Sequence, residues 1–144
     1  MTTCAKVKRR ALTLTICLAL LGVTLIMPTT AAAQERLFEI RTYTALEGRL
    51  DALHARFREN TNRIFVKHGM SLIGYWTPTE GPESSNTLVY ILAFPNKEAR
   101  EKAWAAFRAD PEWKKVQAES EKDGKIVKEV KSQFLHATDY SPIQ

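Results

Sequence analysis

The hydrophobic positions of the chain follow two different periods, and each change of period separates one predicted element from the next. Residues 37–44 alternate apolar and polar side chains, which predicts a strand with one apolar and one polar face. After Gly48 the apolar residues recur at helical steps, which predicts an amphipathic helix that ends at Gly69. Residues 70–77 predict a second strand with two largely apolar faces, one of which carries Leu72, Gly74 and Trp76.

The second half of the chain carries the same order of patterns. Residues 88–94 are a continuous apolar run, which is typical of a central strand. Asn96 is a predicted helix N-cap, and Asp110 followed by Pro111 predicts a new helix start. Residues 125–135 alternate imperfectly and predict an edge or partner-facing strand. The order of elements predicts an α+β fold, a ferredoxin-like split βαβ with a four-stranded antiparallel sheet and helices on one face.

One face of the predicted sheet has no helix to cover it. The middle strands carry apolar residues on both sides, so the second face has to be buried as well. The same face of a second copy is the simplest cover, and nothing else in the sequence supplies one. We therefore expect a homodimer whose two sheets lie face to face, with any binding space between them.

The first 33 residues have the pattern of a targeting segment. Four basic residues within positions 6–10 precede an apolar run over residues 11–27, and small residues follow at positions 31–33. This is the order of a secretory signal peptide, and the apolar run is shorter than the about 20 residues of a membrane span. We expect cleavage after Ala33 and export of residues 34–144 as one domain, periplasmic or secreted and without a membrane attachment. Retention of the leader as an N-terminal anchor is the alternative.

The leader also accounts for the basic character of the chain. Of its 21 Lys and Arg residues four lie in the leader, so 17 remain against 16 Asp and Glu, a net charge of +1. This balance offers no basic patch for nucleic acid, and we expect none to bind. Both cysteines, Cys4 and Cys17, lie in the leader, so the mature domain has no disulfide, thiol nucleophile or thiolate metal site.

Six motifs follow one another between residues 37 and 142: LFEIRTYT, RFRENT, FVKHGM, IGYW, TLVYILAFPNKEAREKAWAAFRADPEWKKV and FLHATDYSP. In order and spacing they resemble the NIPSNAP family. The resemblance implies a ferredoxin-like domain of the dimeric α/β-barrel type. It implies little about chemistry, because bacterial members are largely of unknown function. Relatives often have a histidine where this chain has Asn60, so a role for an imidazole at that position is not implied.

Arg41 and Tyr43 are the first candidates for a ligand site, because they lie on the polar side of the first strand, which we expect the helices to leave uncovered. A guanidinium in a partly dry cavity suits a carboxylate or an enolate. The alternative is a structural salt bridge, to Glu39 or across the dimer. The same space, or the core, would hold three further candidates, Tyr75, Trp76 and Tyr90.

The three histidines are too far apart in sequence to form a metal-ligand pair at helical spacing, and no cofactor motif is present, so we expect neither metal nor cofactor. His54 lies beside the apolar stripe of the first helix, where it either faces a cavity or packs at the helix edge. His136 precedes Asp139, which could orient its imidazole as a general base, with a plain surface histidine as the alternative. These three residues are the weak catalytic candidates.

Two hypotheses of different classes remain. The first is an exported homodimer that binds a small apolar or aromatic molecule, or a protein partner, through the surface between its sheets. The alternative is a cofactor-free oxygenase or isomerase of the dimeric α/β-barrel type, with Arg41, Tyr43 and His54 or His136 around the substrate. The first is favoured, because a proton-transfer site needs a base with a partner. A cavity that holds a histidine or carboxylate within hydrogen-bond reach of Arg41 or Tyr43 would favour the enzyme.

Overall fold

A computed structural model of the chain describes Met1 and residues 36–144. The predicted signal peptide and its cleavage site lie outside the described residues and stay predictions. Within residues 36–144, no helix combines the length and the apolar composition that a membrane crossing requires.

The elements follow one another in the predicted order. They are β1 (Leu37–Ala45), α1 (Leu50–Arg56), a π-helical turn (Phe57–Thr61), α2 (Asn62–Lys67), β2 (Ser71–Trp76), a short 3₁₀ turn (Pro82–Ser85), β3 (Thr87–Phe94), α3 (Lys97–Ala109), α4 (Pro111–Ser120) and β4 (Val127–His136). All neighbouring strands are antiparallel, and the sheet order is β2-β3-β1-β4. The predicted ferredoxin-like α+β fold of the dimeric α/β-barrel type is therefore confirmed, with β4 as an edge strand.

The predicted helix ends are also confirmed. Gly69, with a φ of 78°, follows the last turn of α2 in the left-handed conformation that glycine adopts without strain. The Asn96 carboxamide accepts a hydrogen bond from Ala99 N at 2.8 Å and caps α3. Asp110 caps α4 in the same way, accepting from Glu112 N at 2.8 Å. Local side chains thus set where the helices start and stop.

The first helical arm is widened in its middle. Between α1 and α2 the chain forms a π-helical turn, and the Thr61 hydroxyl donates to the Arg56 carbonyl oxygen, five residues earlier, at 3.1 Å. Such turns are rare and occur frequently at functional sites. Phe57, the first residue of the turn, points into the core.

The polar side of β1 faces the helices, so the prediction that Arg41 and Tyr43 lie on the uncovered face is wrong. The Tyr43 ring lies 5.7 Å from that of Phe57, and the Arg41 guanidinium lies 4.4 Å from the ring of Trp104. The apolar side of β1, with Phe38 and Ile40, faces away from the helices. The polar side of β1 can face the helices because Arg100 and Trp104 of α3 donate hydrogen bonds to the buried carboxylate of Glu39, as described below.

An irregularity in β2 changes which residues share a face. The pairing of β2 with β3 shifts between Leu72 and Gly74, so Leu72 and Tyr75 both pack against the core. The predicted alternation, with Leu72 and Trp76 on one side, is therefore wrong. Gly74 lies beneath the ring of Trp76, since a Cβ at this glycine would be 2.6 Å from Trp76 Cη2.

The side of the sheet away from the helices, here called the open face, carries apolar residues on every strand and polar ones, such as Lys131 and Gln133, along β4. It carries one or two large aliphatic or aromatic residues from each strand, Phe38, Ile40, Ile73, Val89, Ile91 and Leu135. The expectation that nothing in the chain covers this face is wrong at one corner. There the C-terminal tail crosses Phe38, which is 7% exposed, and Arg36 donates to the Gln144 backbone oxygen at 2.8 Å.

Candidate functional site

A buried carboxylate, that of Glu39, organises the contact between β1 and α3. Its side chain is 0% exposed and accepts hydrogen bonds from Arg41 Nη1 at 2.7 Å, from Arg100 Nε and Nη2 at 2.9 Å each, and from Trp104 Nε1 at 2.8 Å. Burial by itself raises the pKa of Glu39. The hydrogen bonds from Arg100, Arg41 and Trp104 together lower it by more than burial raises it, so that the pKa falls to about 2. We call these four residues the Glu39 cluster.

The Glu39 cluster contains the interaction that the alternative interpretation of Arg41 expected, a salt bridge to Glu39. Its guanidinium is held by Glu39 and by the Ser132 hydroxyl, to which it donates at 2.9 Å. A carboxylate is thus within hydrogen-bond reach of Arg41, but with a pKa of about 2 and four donors around it, Glu39 cannot serve as a base near neutral pH. The salt bridge between Arg41 and Glu39 is therefore present, and a ligand-binding role of Arg41 stays a prediction.

A cavity of about 310 Å³ lies between the helices and the β1–β4 edge of the sheet. Five of its fourteen lining residues are aromatic, Tyr43, Phe57, Phe65, Phe107 and Trp113, and seven are polar or charged, among them Arg56, Lys125 and Lys128. The rings pack against one another, with Phe107 and Trp113 4.5 Å apart between centroids. We call this space the aromatic cavity, and Tyr43 is the residue of the predicted ligand set that lines it.

One wall of the aromatic cavity is polar. Arg56, 5% exposed, forms an ion pair with Glu121 at 3.1 Å, and its Nε has no hydrogen-bond partner among the described residues. Thr61 lies beside it at the end of the π-helical turn. The widened turn therefore places Arg56 and Thr61 among the polar residues that line the cavity beside its aromatic rings.

Residues 38–142 match the sequence model of the NIPSNAP family. This chain belongs to the NIPSNAP family. It is similar to a solved NIPSNAP family protein of unknown function from Agrobacterium tumefaciens, with 25% identity and a TM-score of 0.67 over 77% of this chain and 96% of that one. It is also similar to a NIPSNAP-like domain protein from Burkholderia xenovorans, with 21% identity and a TM-score of 0.66 over 76% and 90% of the two chains.

The fold extends beyond NIPSNAP proteins. SnoaB, a cofactor-independent oxygenase from Streptomyces nogalater, shares 14% identity at a TM-score of 0.51, covering 75% of this chain and 98% of its own. At that identity the likeness shows the fold alone. No protein of curated function matches this NIPSNAP chain in sequence.

The remaining site candidates lie in separate parts of the NIPSNAP domain. His54, Tyr75 and Trp76 line a second cavity, of about 330 Å³, beside β2. His136 lines a third, of about 290 Å³, on the open face, while Tyr90 is fully buried in the core. Asp139 lies exposed in the C-terminal tail. The candidates that the oxygenase or isomerase hypothesis would gather around one substrate therefore do not share a cavity. Their individual roles stay predictions.

Sequence reasoning missed Arg56 as a site residue in this NIPSNAP domain. The helical period places Arg56 on the side of the first helix away from its apolar stripe, and α4 packs on that side and brings Glu121 to it. The guanidinium also lies 5.6 Å from the ring of Trp113. The signal in the sequence was the apolar side of α4 itself, because a second helix that carries Trp113 and Val116 on one side needs a neighbour. Among the described residues, no group of His, Cys, Asp or Glu is arranged to hold a metal ion.

Proposed function

We propose that this NIPSNAP protein is a homodimer that binds a small, mainly aromatic molecule in the aromatic cavity. The observation that carries the proposal is the cavity itself, because a space lined by five aromatic rings together with polar and charged groups is the usual composition of a small-molecule site. Aromatic rings favour edge-to-face or offset contacts with a further ring, which a flat ligand would supply. The site lies between helices and sheet, and not between two sheets as the sequence led us to expect.

The size of the cavity limits the ligand. About 310 Å³ is at the lower end of the roughly 300–1,000 Å³ that ligand pockets occupy, so one or two fused rings would fill it. A hydrogen-bond acceptor on the ligand would meet one of the cations that line the cavity, Arg56, Lys125 or Lys128. We therefore infer that the ligand is a ring system with a polar substituent.

The second copy of the dimer would cover the open face. The apolar residues of this face lie on all four strands, and a face of this kind can pack against its own copy about a twofold axis. On the edge strand, Lys131 and Glu129 lie side by side at 3.7 Å, so a twofold copy can bring unlike charges together. The similarity to folds of the dimeric α/β-barrel type supports the same arrangement.

The alternative, a cofactor-free oxygenase or isomerase, receives its support from the fold shared with SnoaB, which is described as a cofactor-independent oxygenase. Fold alone is weak support for an activity. In this chain Tyr43, His54 and His136 line three different cavities, and Arg41 is held by Glu39. Binding without chemistry is therefore the better supported proposal.

Export remains part of the proposal. The leader of residues 1–33 has the order of a signal peptide, and we infer cleavage after Ala33 and a periplasmic or secreted location. The intact mass of the protein isolated from its own host tests this. A mass that corresponds to a chain starting at Gln34 is expected, and a mass that includes the leader would support the membrane-anchored alternative.

Ligand binding can be tested with 2-naphthol as the aromatic probe and cyclohexanol as the non-aromatic one, each titrated by calorimetry. We expect 2-naphthol to bind more tightly, and Val130→Trp to weaken its binding at least tenfold. Val130 lies at the wall of the cavity on β4 and is 39% exposed, so a larger side chain there fills the mouth without entering the core. Lys102→Trp, on the exposed side of α3, is the matched control. Equal binding of 2-naphthol to both variants, or none to the wild type, would refute the site.

The dimer can be tested by light scattering after size exclusion. Ile40→Asp places a charge near the centre of the open face and should give a monomer at micromolar concentration. Val66→Asp adds the same charge to a residue of α2 that is 58% exposed, and should leave the dimer intact. A wild-type protein that is monomeric at this concentration would contradict the proposal.

A further inference from the structure

The wall of the aromatic cavity carries more positive than negative charge. Its charged lining residues are three cations, Arg56, Lys125 and Lys128, and two carboxylates, those of Glu121 and Glu129. Charges that are paired within the protein largely cancel at a distance. What a ligand meets in the cavity therefore depends on which of these five groups have a partner.

Both carboxylates and one of the cations are already paired. The Glu121 carboxylate forms its ion pair with Arg56 at 3.1 Å, and Arg56 is only 5% exposed. Glu129 lies opposite Thr44 on the open face of the sheet, and it pairs there with Lys131 at 3.7 Å. These groups therefore offer a ligand in the cavity little net charge.

Lys125 and Lys128 are the two charges that remain. Lys125 lies in the turn before β4, and Lys128 is the second residue of that strand. Both side chains are exposed, so a ligand at the mouth of the cavity can reach them. Within residues 36–144 neither lysine forms an ion pair with a carboxylate. This end of the cavity therefore presents two accessible ammonium groups without a counter-charge.

An irregularity in the pairing of β4 falls on Lys128. In the register with β1, the partners of Thr44 and Ala45 on β4 are residues 129 and 127, so Lys128 has no counterpart. Bulges of this kind re-aim a side chain, and they are over-represented at sheet edges and next to active sites. β4 is an edge strand, and Lys128 lines the cavity. The bulge thus places an extra, charged residue at the wall of the aromatic cavity.

We propose that the aromatic cavity selects an anionic ligand, an aromatic carboxylate of one or two fused rings. This inference rests on the proposed function and adds the charge of its ligand. The ring system would lie among the five aromatic side chains, and the carboxylate would lie at the mouth, beside Lys125 and Lys128. A carboxylate at the mouth keeps much of its hydration and gains two unpaired cations, so binding avoids the cost of burying a charge.

The test is calorimetric titration of the full chain with 2-naphthoate and with 2-naphthamide, which has the same shape and no charge. At about 0.02 M salt, where charges are screened only beyond roughly 20 Å, we expect 2-naphthoate to bind more tightly. The ratio of the two affinities should fall at least about threefold at about 1 M salt, because the screening length is then about 3 Å.

A double substitution, Lys125→Gln together with Lys128→Gln, removes both charges and keeps a polar side chain at each position. At low salt it should lower the ratio of the two affinities at least about threefold, since one exposed ion pair contributes up to about fivefold. Lys97→Gln together with Lys102→Gln removes the same number of charges from exposed positions of α3 and should leave the ratio unchanged. Circular dichroism of each variant verifies that it is folded.

Three outcomes would overturn the inference. They are a ratio that the two cavity lysines do not change, an equal fall of the ratio in the α3 variant, and 2-naphthoate binding that survives in Val130→Trp. The first would indicate that these lysines only prevent pairing of the edge strand with another sheet. The third would place the probe outside the cavity. If 2-naphthol binds and the ratio stays constant, this inference alone fails, whereas failure of 2-naphthol to bind contradicts the proposed function.

Discussion

Replacing Glu39 by glutamine should destabilise the fold by several kcal/mol. The substitution keeps the shape of the side chain but removes the charge that Arg41 and Arg100 share, so two guanidiniums then lie close together at a buried position. Removal of one partner of a buried ion pair typically costs about 3–5 kcal/mol, because the remaining charge is left uncompensated.

The pKa of Glu39 gives a second route to the same magnitude. In the folded chain it falls from 4.5 to about 2, and at ~1.4 kcal/mol for each tenfold change in proton affinity this corresponds to about 3 kcal/mol. Because the folded-state pKa is the lower one, this contribution is complete above a pH of 4.5 and is lost as the pH falls towards 2. Acid should therefore weaken the wild type through this residue, whereas Glu39→Gln has no such dependence at this position.

Urea unfolding followed by tryptophan fluorescence, at about pH 7 and about pH 3, measures both effects at one protein concentration. Glu129→Gln is the control, because Glu129 is exposed and its 3.7 Å ion pair with Lys131 should contribute less than about 1 kcal/mol. A Glu39→Gln protein within about 1 kcal/mol of the wild type at neutral pH would refute the reasoning. So would an equal loss of stability on acidification in wild type and variant.

Three further substitutions test local packing. Asn96→Ala removes the 2.8 Å cap of α3 and should cost ~1 kcal/mol in urea unfolding, and an unchanged stability would show that the cap contributes nothing. Gly74→Ala places a carbon 2.6 Å from Trp76 Cη2, so the indole must move and the fluorescence maximum should shift, which an unchanged spectrum would contradict. Tyr90→Phe removes a buried hydroxyl that lies beside Arg41 and Tyr43 but makes no hydrogen bond of normal geometry among the described residues. It should leave stability unchanged or raise it by up to ~1 kcal/mol, whereas a loss of that size would reveal a bond from this hydroxyl to one of them.

The face of β1 shows where pattern reasoning fails. Alternation correctly separates Phe38 and Ile40 from Glu39 and Arg41, but it does not say which set faces the helices. The usual assumption places the apolar set there. In this protein the polar set faces the helices, because Arg100 and Trp104 of α3 satisfy Glu39, sixty-one and sixty-five residues away in sequence. A buried carboxylate becomes tolerable only when those donors arrive, and the pattern of β1 contains no information about them.

The candidate site shows the same limit: the sequence identifies candidate residues, but only the tertiary structure shows which of them lie together. Tyr43, His54, Tyr75 and His136 were each recognisable as chemically interesting from their positions in predicted elements. Which of them share a cavity depends on the bulge in β2, which turns Tyr75 towards the core, and on α4, which closes the aromatic cavity with Trp113. A single-residue shift in pairing reverses the face of every residue after it, and no local signal predicted this one.

From the sequence alone came the order of the elements, the helix ends at Gly69, Asn96 and Asp110, the edge position of the last strand and membership of the NIPSNAP family. These follow from periodicity, capping and motif order, which depend on neighbouring residues. The tertiary structure alone decided that Glu39 is buried with its arginines, that the aromatic cavity lies under the helices, and that the tail covers Phe38. Each of these depends on contacts between segments far apart in the chain, because burial and charge compensation are properties of the packed layers and not of any one segment.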